Sequence, residues 1–188
     1  INDSEGEVVK ILEDNKNLNK KMKEFDLVDQ TFFTIKNSIG LDLNAWIMKP
    51  NKIEKNKKLP LLMYVYGGPG INTVNDSWSS MNYFWFQYLV KRGFVIISVD
   101  SRGTGYRGKD FKHSTYLQLG KLETEDQIYV AKKIGKYDFI DSERIGIFGW
   151  SYGGYMSSLC ITKGARASTS VESPKQLTSR SLYKLQLL

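Results

Sequence analysis

The chain is 188 residues long, with 41% hydrophobic and 13% aromatic residues, enough to fill the core of one ordinary domain. Its formal charge is +7, but the lysines are spread through Asn-rich stretches such as 15–23 and 51–58 with few aromatics between them, which argues against a nucleic-acid partner. The single cysteine, Cys160, excludes an intrachain disulfide without fixing a compartment, and no run reaches the roughly 18 apolar residues of a membrane span.

Residues 1–24 are polar apart from one short apolar run, Val8 to Leu12, ahead of Glu13, Asp14 and Asn15. That segment has too little to bury by itself, and it reads as the last strand of a preceding unit followed by a linker. No charged-then-apolar signal segment opens it. Because the first residue is Ile1 and not Met, an upstream signal or anchor stays open.

From Phe25 onward the pattern changes. Phe32, Phe33 and Ile35, then Leu41, Leu43, Trp46 and Ile47, predict two strands joined by a turn at Asn37 to Gly40. Pro50 ends the second strand, and the Lys-rich 51–58 segment is a surface loop.

Leu59 to Tyr66 is a nearly continuous apolar run opening into Gly67, Gly68, Pro69 and Gly70, a buried strand ending in a glycine-rich loop. Two readings of that loop stand side by side: a plain tight turn, or a place where backbone comes close to a reacting carbonyl. Trp78 to Arg92 follows as a helix, with Phe84, Tyr88 and Leu89 at near-helical spacing, Ser77 as N-cap and Gly93 closing it. Phe94 to Asp100 is the next buried strand, and the alternation of strand, helix and strand predicts a parallel sheet with right-handed crossovers.

The GTGYRG stretch at 103–108 has neither the Lys-Ser/Thr of a phosphate-binding loop nor the helix start of a dinucleotide site, so no nucleotide cofactor is expected. Asp100 and Arg102 are expected to pair with each other or to hold this loop. A helix over Thr124 to Tyr137 puts Ile128, Ala131 and Ile134 on one face, with Glu125 and Asp126 favourably placed near its positive end.

Arg144 to Tyr155, RIGIFGWSYGGY, carries the chemistry. Ile145, Ile147 and Phe148 form a short apolar run, Gly149 and Gly153 flank Ser151 at two residues on either side, and a helix-compatible segment runs from Tyr152 to about Lys163. This is the pattern of a nucleophile elbow, a sharp turn between buried strand and helix that holds a serine in a strained conformation with its Oγ exposed. A bare Gly-x-Ser-x-Gly arises by chance in roughly one chain in twenty of this length, so the strand before it and the helix after it carry the argument.

Taken together, YVYGGPG, VDSRGTGYRG, LGKLETEDQ and GWSYGGY, in this order, resemble the prolyl oligopeptidase superfamily of serine peptidases, in particular its dipeptidyl peptidase IV branch with the bacterial prolyl tripeptidyl peptidases. The similarity covers about Val8 to Lys163. It implies an α/β-hydrolase fold, present here as the N-terminal part of its sheet, with residues 1–24 the end of a β-propeller and its linker and 25–188 a partial peptidase domain. It also implies Ser151 as the catalytic nucleophile. Tyr66 would donate its phenolic O–H to the oxyanion, and the backbone N–H of Tyr152 would be the second donor.

The implied substrate is a peptide with a free N-terminus and a penultimate proline, or sometimes alanine, and no metal or cofactor is implied. The family implies an extracytoplasmic setting and a homodimer. Two alternatives are an acylaminoacyl peptidase or esterase of the same fold, and a non-catalytic relative used for binding.

The resemblance stops beyond about Gly164. In α/β-hydrolases the triad runs in the order Ser, acid, His. Here the only histidine, His113, precedes Ser151 and is read as structural, while Glu172 is the only acid after the serine. The 165–188 tail matches no family motif, although Ser168 to Val171 is strand-like and Tyr183 falls near where a substrate-pocket tyrosine is expected. A truncation or frameshift after Gly164 is the expectation, and with it a chain that is nearly inactive alone.

Overall fold

The computed structural model describes residues 1–77 and 81–167. The sheet starts from the expected hairpin. Strands β1 (Thr31–Lys36) and β2 (Asp42–Met48) run antiparallel, with Thr31 opposite Ile47 and Lys36 opposite Asp42. Asn37 closes the turn, its side-chain oxygen accepting from the backbone N–H groups of Ile39 and Leu41.

β3 (Leu59–Tyr64) and β4 (Val95–Val99) lie parallel in the middle of a five-stranded sheet of order β1-β2-β4-β3-β5. β5 (Ile140–Phe148) pairs in parallel with β3, whereas β2 meets β4 antiparallel. The parallel expectation therefore holds for β3, β4 and β5, and the hairpin supplies an antiparallel edge.

The two central strands are apolar at almost every position because each buries both faces. Leu61, Met63, Val95, Ile97 and Val99 join Val130, Ile134, Met156 and Cys160 on one side. Leu62 and Ile96 join Trp46, Met48, Phe86, Leu89 and Val90 on the other. Helix α2 (Met81–Lys91) covers that second side, and α4 (Leu122–Ile134) and α5 (Tyr152–Ala167) cover the first.

The spacing marked the buried face of α2 only in part. Leu89 is buried as part of the core with Phe86 and Val90, whereas Phe84 and Tyr88 are exposed. The segment YFWFQYLV is apolar nearly all round, so periodicity leaves its buried face undetermined. The expected helix start at Trp78 lies outside the described residues, as do Ser168 to Val171, Glu172 and Tyr183.

Residues 1–24 add no strand to this sheet. Val8 to Leu12 form no strand: Val8 makes one isolated bridge to Asn2, and Val8, Val9, Ile11 and Leu12 are all exposed. A seven-residue helix α1 (Lys16–Met22) follows, with no buried residue. With no sheet edge to join, a five-residue apolar run gains no ladder of hydrogen bonds and stays open.

Arg102 also differs. No ion pair joins Asp100 to Arg102 among the described residues. Arg102 instead grips Asp126 of α4, its Nε and Nη2 lying 2.8 to 3.1 Å from the two carboxylate oxygens, and its backbone N–H adds a third donor at 2.9 Å. Asn37 Nδ2 donates to the same carboxylate at 2.9 Å, so Asp126 ties the hairpin turn, the loop after β4 and α4 together. Burial pulls the Arg102 guanidinium down, but the Asp126 hydrogen bond and charge outweigh it and the net shift is upward. Asp100 holds the loop in its own way, accepting from Asn72 Nδ2 and from the N–H and hydroxyl of Thr73.

Candidate active site

The site grows from the junction of β5 and α5. Ser151 is the last of three residues between them and has φ 56°, a left-handed conformation that costs a side-chain-bearing residue about 1–2 kcal/mol. Its side chain is exposed, next to Trp150, which is 82% exposed. Gly153 N–H donates to the Trp150 carbonyl at 2.8 Å and Gly154 N–H to the Ser151 carbonyl at 2.9 Å, so the chain enters α5 within one residue of the serine.

The flanking glycines have a steric reason. A Cβ on either Gly149 or Gly153 would collide with the carbonyl oxygen of Val65, and one on Gly149 would also come within 2.6 Å of the Gly153 carbonyl carbon. The elbow is therefore folded down onto the end of β3, where Val65 N–H still donates to Phe148 at 2.9 Å. Backbone meets backbone here, and neither side can rotate away.

That docking sets Tyr66 beside Tyr152. Their ring centroids are 6.1 Å apart and inclined by 36°, and both residues are half-buried. Gly68 makes room for the pair, since a Cβ there would sit 2.5 Å from Tyr66 Cε1 and 3.4 Å from Tyr152 Cγ. As the first residue of α5, Tyr152 has a backbone N–H with no intrahelical acceptor. Its phenol donates to Glu123 Oε1 at 2.8 Å, and burial, followed by this carboxyl, pushes the phenol above its ordinary value, so it stays a neutral donor.

The structure thus brings Ser151, Tyr66 and Tyr152 to one corner of the sheet. His113 is the exposed last residue of the short helix α3 (Lys109–His113). Two residues escaped the sequence reading. Glu123, in the first turn of α4, is wholly buried and receives the Tyr152 hydroxyl. Asp126, read as a charge near a helix end, is the buried partner of Arg102. Only its place beside Glu125 in an otherwise amphipathic helix marked it, and that signal fits a solvated face equally well.

Among the described residues no group of three or more His, Cys, Asp or Glu side chains is placed to hold a metal ion. No helix among them is long and apolar enough to cross a membrane.

Several known proteins are similar to this chain in sequence and fold. The model of the prolyl oligopeptidase family matches residues 79–167. A probable dipeptidyl peptidase 4 of Emericella nidulans is 40% identical over 150 residues, covering 79% of this chain and 19% of the relative. Human prolyl endopeptidase FAP is 40% identical over 159 residues, covering 83% of this chain and 20% of the relative. The crystal structure of Porphyromonas gingivalis dipeptidyl peptidase 4 superposes with a TM-score of 0.80 at 40% identity, over 85% of this chain and 22% of that one. The chain spans about a fifth of the length of the relatives it matches. On these matches, and on an α/β sheet that agrees with them, the chain belongs to the prolyl oligopeptidase family of serine peptidases.

Proposed function

We propose that the full-length protein carrying this segment is a serine exopeptidase of the dipeptidyl peptidase IV type, cleaving after a penultimate Pro or Ala near a free N-terminus. The observation that carries it is Ser151 held at φ 56° on a turn whose two glycines are packed against the Val65 carbonyl. In this reading Ser151 Oγ attacks the scissile carbonyl and forms an acyl-enzyme, while the Tyr66 phenol and the Tyr152 N–H stabilise the oxyanion. Residues 1–24 are the exit from a β-propeller and its linker, and 25–188 are part of the peptidase domain. No histidine follows Ser151 in this sequence, so the general base comes from outside it and the chain alone is nearly inactive.

The test is hydrolysis by the full-length protein and its Ser151→Ala variant. The substrates are alanyl-prolyl-p-nitroanilide, its N-acetylated form, an acetyl-alanyl amide and a short acyl ester. Cleavage of the free-amine substrate alone, lost by at least about a thousand-fold on Ser151→Ala, supports the exopeptidase. Preference for the acetylated amide or the ester favours an acylaminoacyl peptidase or esterase. No turnover of any of them leaves the non-catalytic binding relative.

A further inference from the structure

Tyr152 is held at both ends. Its backbone begins α5 next to Ser151, and its hydroxyl reaches 2.8 Å to Glu123 Oε1, at the start of α4. Glu123 is fully buried. Its Oε1 also accepts from Gly120 N–H at 3.1 Å, and its Oε2 is buried without a hydrogen-bond partner. A carboxyl in that state is costly, and an apolar side chain would fill the same space without the penalty. What the carboxyl adds is a fixed acceptor for the Tyr152 hydroxyl.

Other ties join the 119–124 segment to α5. Lys163 Nζ donates to the Gly120 carbonyl at 3.3 Å, and the Tyr155 hydroxyl lies 3.5 Å from the Leu119 carbonyl. Of these bonds, only that from Glu123 reaches the residue next to Ser151. The Tyr152 ring then leans on the Tyr66 ring over Gly68, so a shift of Tyr152 moves both groups.

We infer that Glu123 is a positioning residue, which by holding the Tyr152 hydroxyl sets both oxyanion donors, the Tyr152 N–H and the Tyr66 phenol. The inference rests on the proposed peptidase reading and adds to it a residue in a different helix. A misplacement of about 1 Å at a reacting centre costs on the order of a hundred-fold in rate, so a lost anchor is visible in turnover.

The experiment measures kcat and KM for alanyl-prolyl-p-nitroanilide on the full-length protein. Four variants are compared: Tyr152→Phe, Glu123→Leu, the Glu123→Leu/Tyr152→Phe double variant, and Glu123→Gln, whose amide oxygen still accepts. Tyr152→Phe and Glu123→Leu are each expected to lower kcat by about ten-fold or more with KM within about two-fold. The double variant should fall no further than the worse single one, and Glu123→Gln should stay within about three-fold of the parent.

Unchanged kcat in Tyr152→Phe, which removes one oxygen from a half-buried ring and needs no refolding of α4, overturns the inference. So do losses that multiply in the double variant. Those outcomes leave an active parent and the peptidase reading intact, whereas an unmodified protein with no turnover overturns both.

Discussion

Gly153 lies against the carbonyl oxygen of Val65 so closely that a single added methyl has no room. Helix propensity and this contact make opposite predictions, because alanine favours a helix by about 1 kcal/mol over glycine. Gly153→Ala is expected to destabilise the fold by at least about 2 kcal/mol, since the obstacle is backbone and cannot rotate aside. Gly154, one residue on, has its nearest neighbour at 3.5 Å, an ordinary contact, and Gly154→Ala is expected to be neutral or stabilising. Urea denaturation of the two variants checks the pair, and equal effects would refute the steric account.

Tyr66→Phe tests the proposed oxyanion role without disturbing the ring contact to Tyr152. In the full-length protein kcat is expected to fall about a hundred- to a thousand-fold while KM and thermal stability hardly change. A loss confined to KM would place Tyr66 in ground-state binding instead.

The Arg102–Asp126 pair is almost closed to solvent, with the Asp126 side chain fully buried and that of Arg102 10% exposed. Asp126→Ala leaves the guanidinium with the half-exposed Glu125, 3.6 Å away, and the more distant charge of Glu123 as its compensation. The expected cost is about 3–5 kcal/mol in urea denaturation. The double variant Arg102→Met/Asp126→Leu should recover the part of that loss due to the orphaned charge but not all of it, because Asn37 Nδ2 and the backbone N–H of residue 102 still lose their acceptor.

Cys160 lies on the buried face of α5, and burial pushes its thiol up to about 12. A thiol whose folded value lies above its ordinary 9.0 keeps its proton in the native state while the unfolded chain releases it. Its contribution to stability is therefore full below about pH 9 and is lost as the pH rises towards 12. The stability difference between the parent chain and Cys160→Ala should shrink across that window in paired denaturation curves. Labelling by a thiol-specific disulfide reagent at pH 8 should be slow and should track unfolding.

The sequence by itself determined the fold class and the place of the strained turn at Ser151. Runs 59–66 and 94–100 are apolar at nearly every position, which only two-sided burial demands, and the hairpin carries its turn at Asn37 to Gly40. The elbow was legible because its requirements are local: a strand, two small residues around a serine, and a helix within a dozen positions. Tertiary structure alone decided which face of α2 is buried, which carboxylate answers Arg102, and that Glu123 sits under Tyr152. Those partners are 24 and 29 residues apart and leave no periodic mark. Local preferences act over a turn or a few strand residues, whereas a buried charge finds its counter-charge only once the sheet has brought distant segments together.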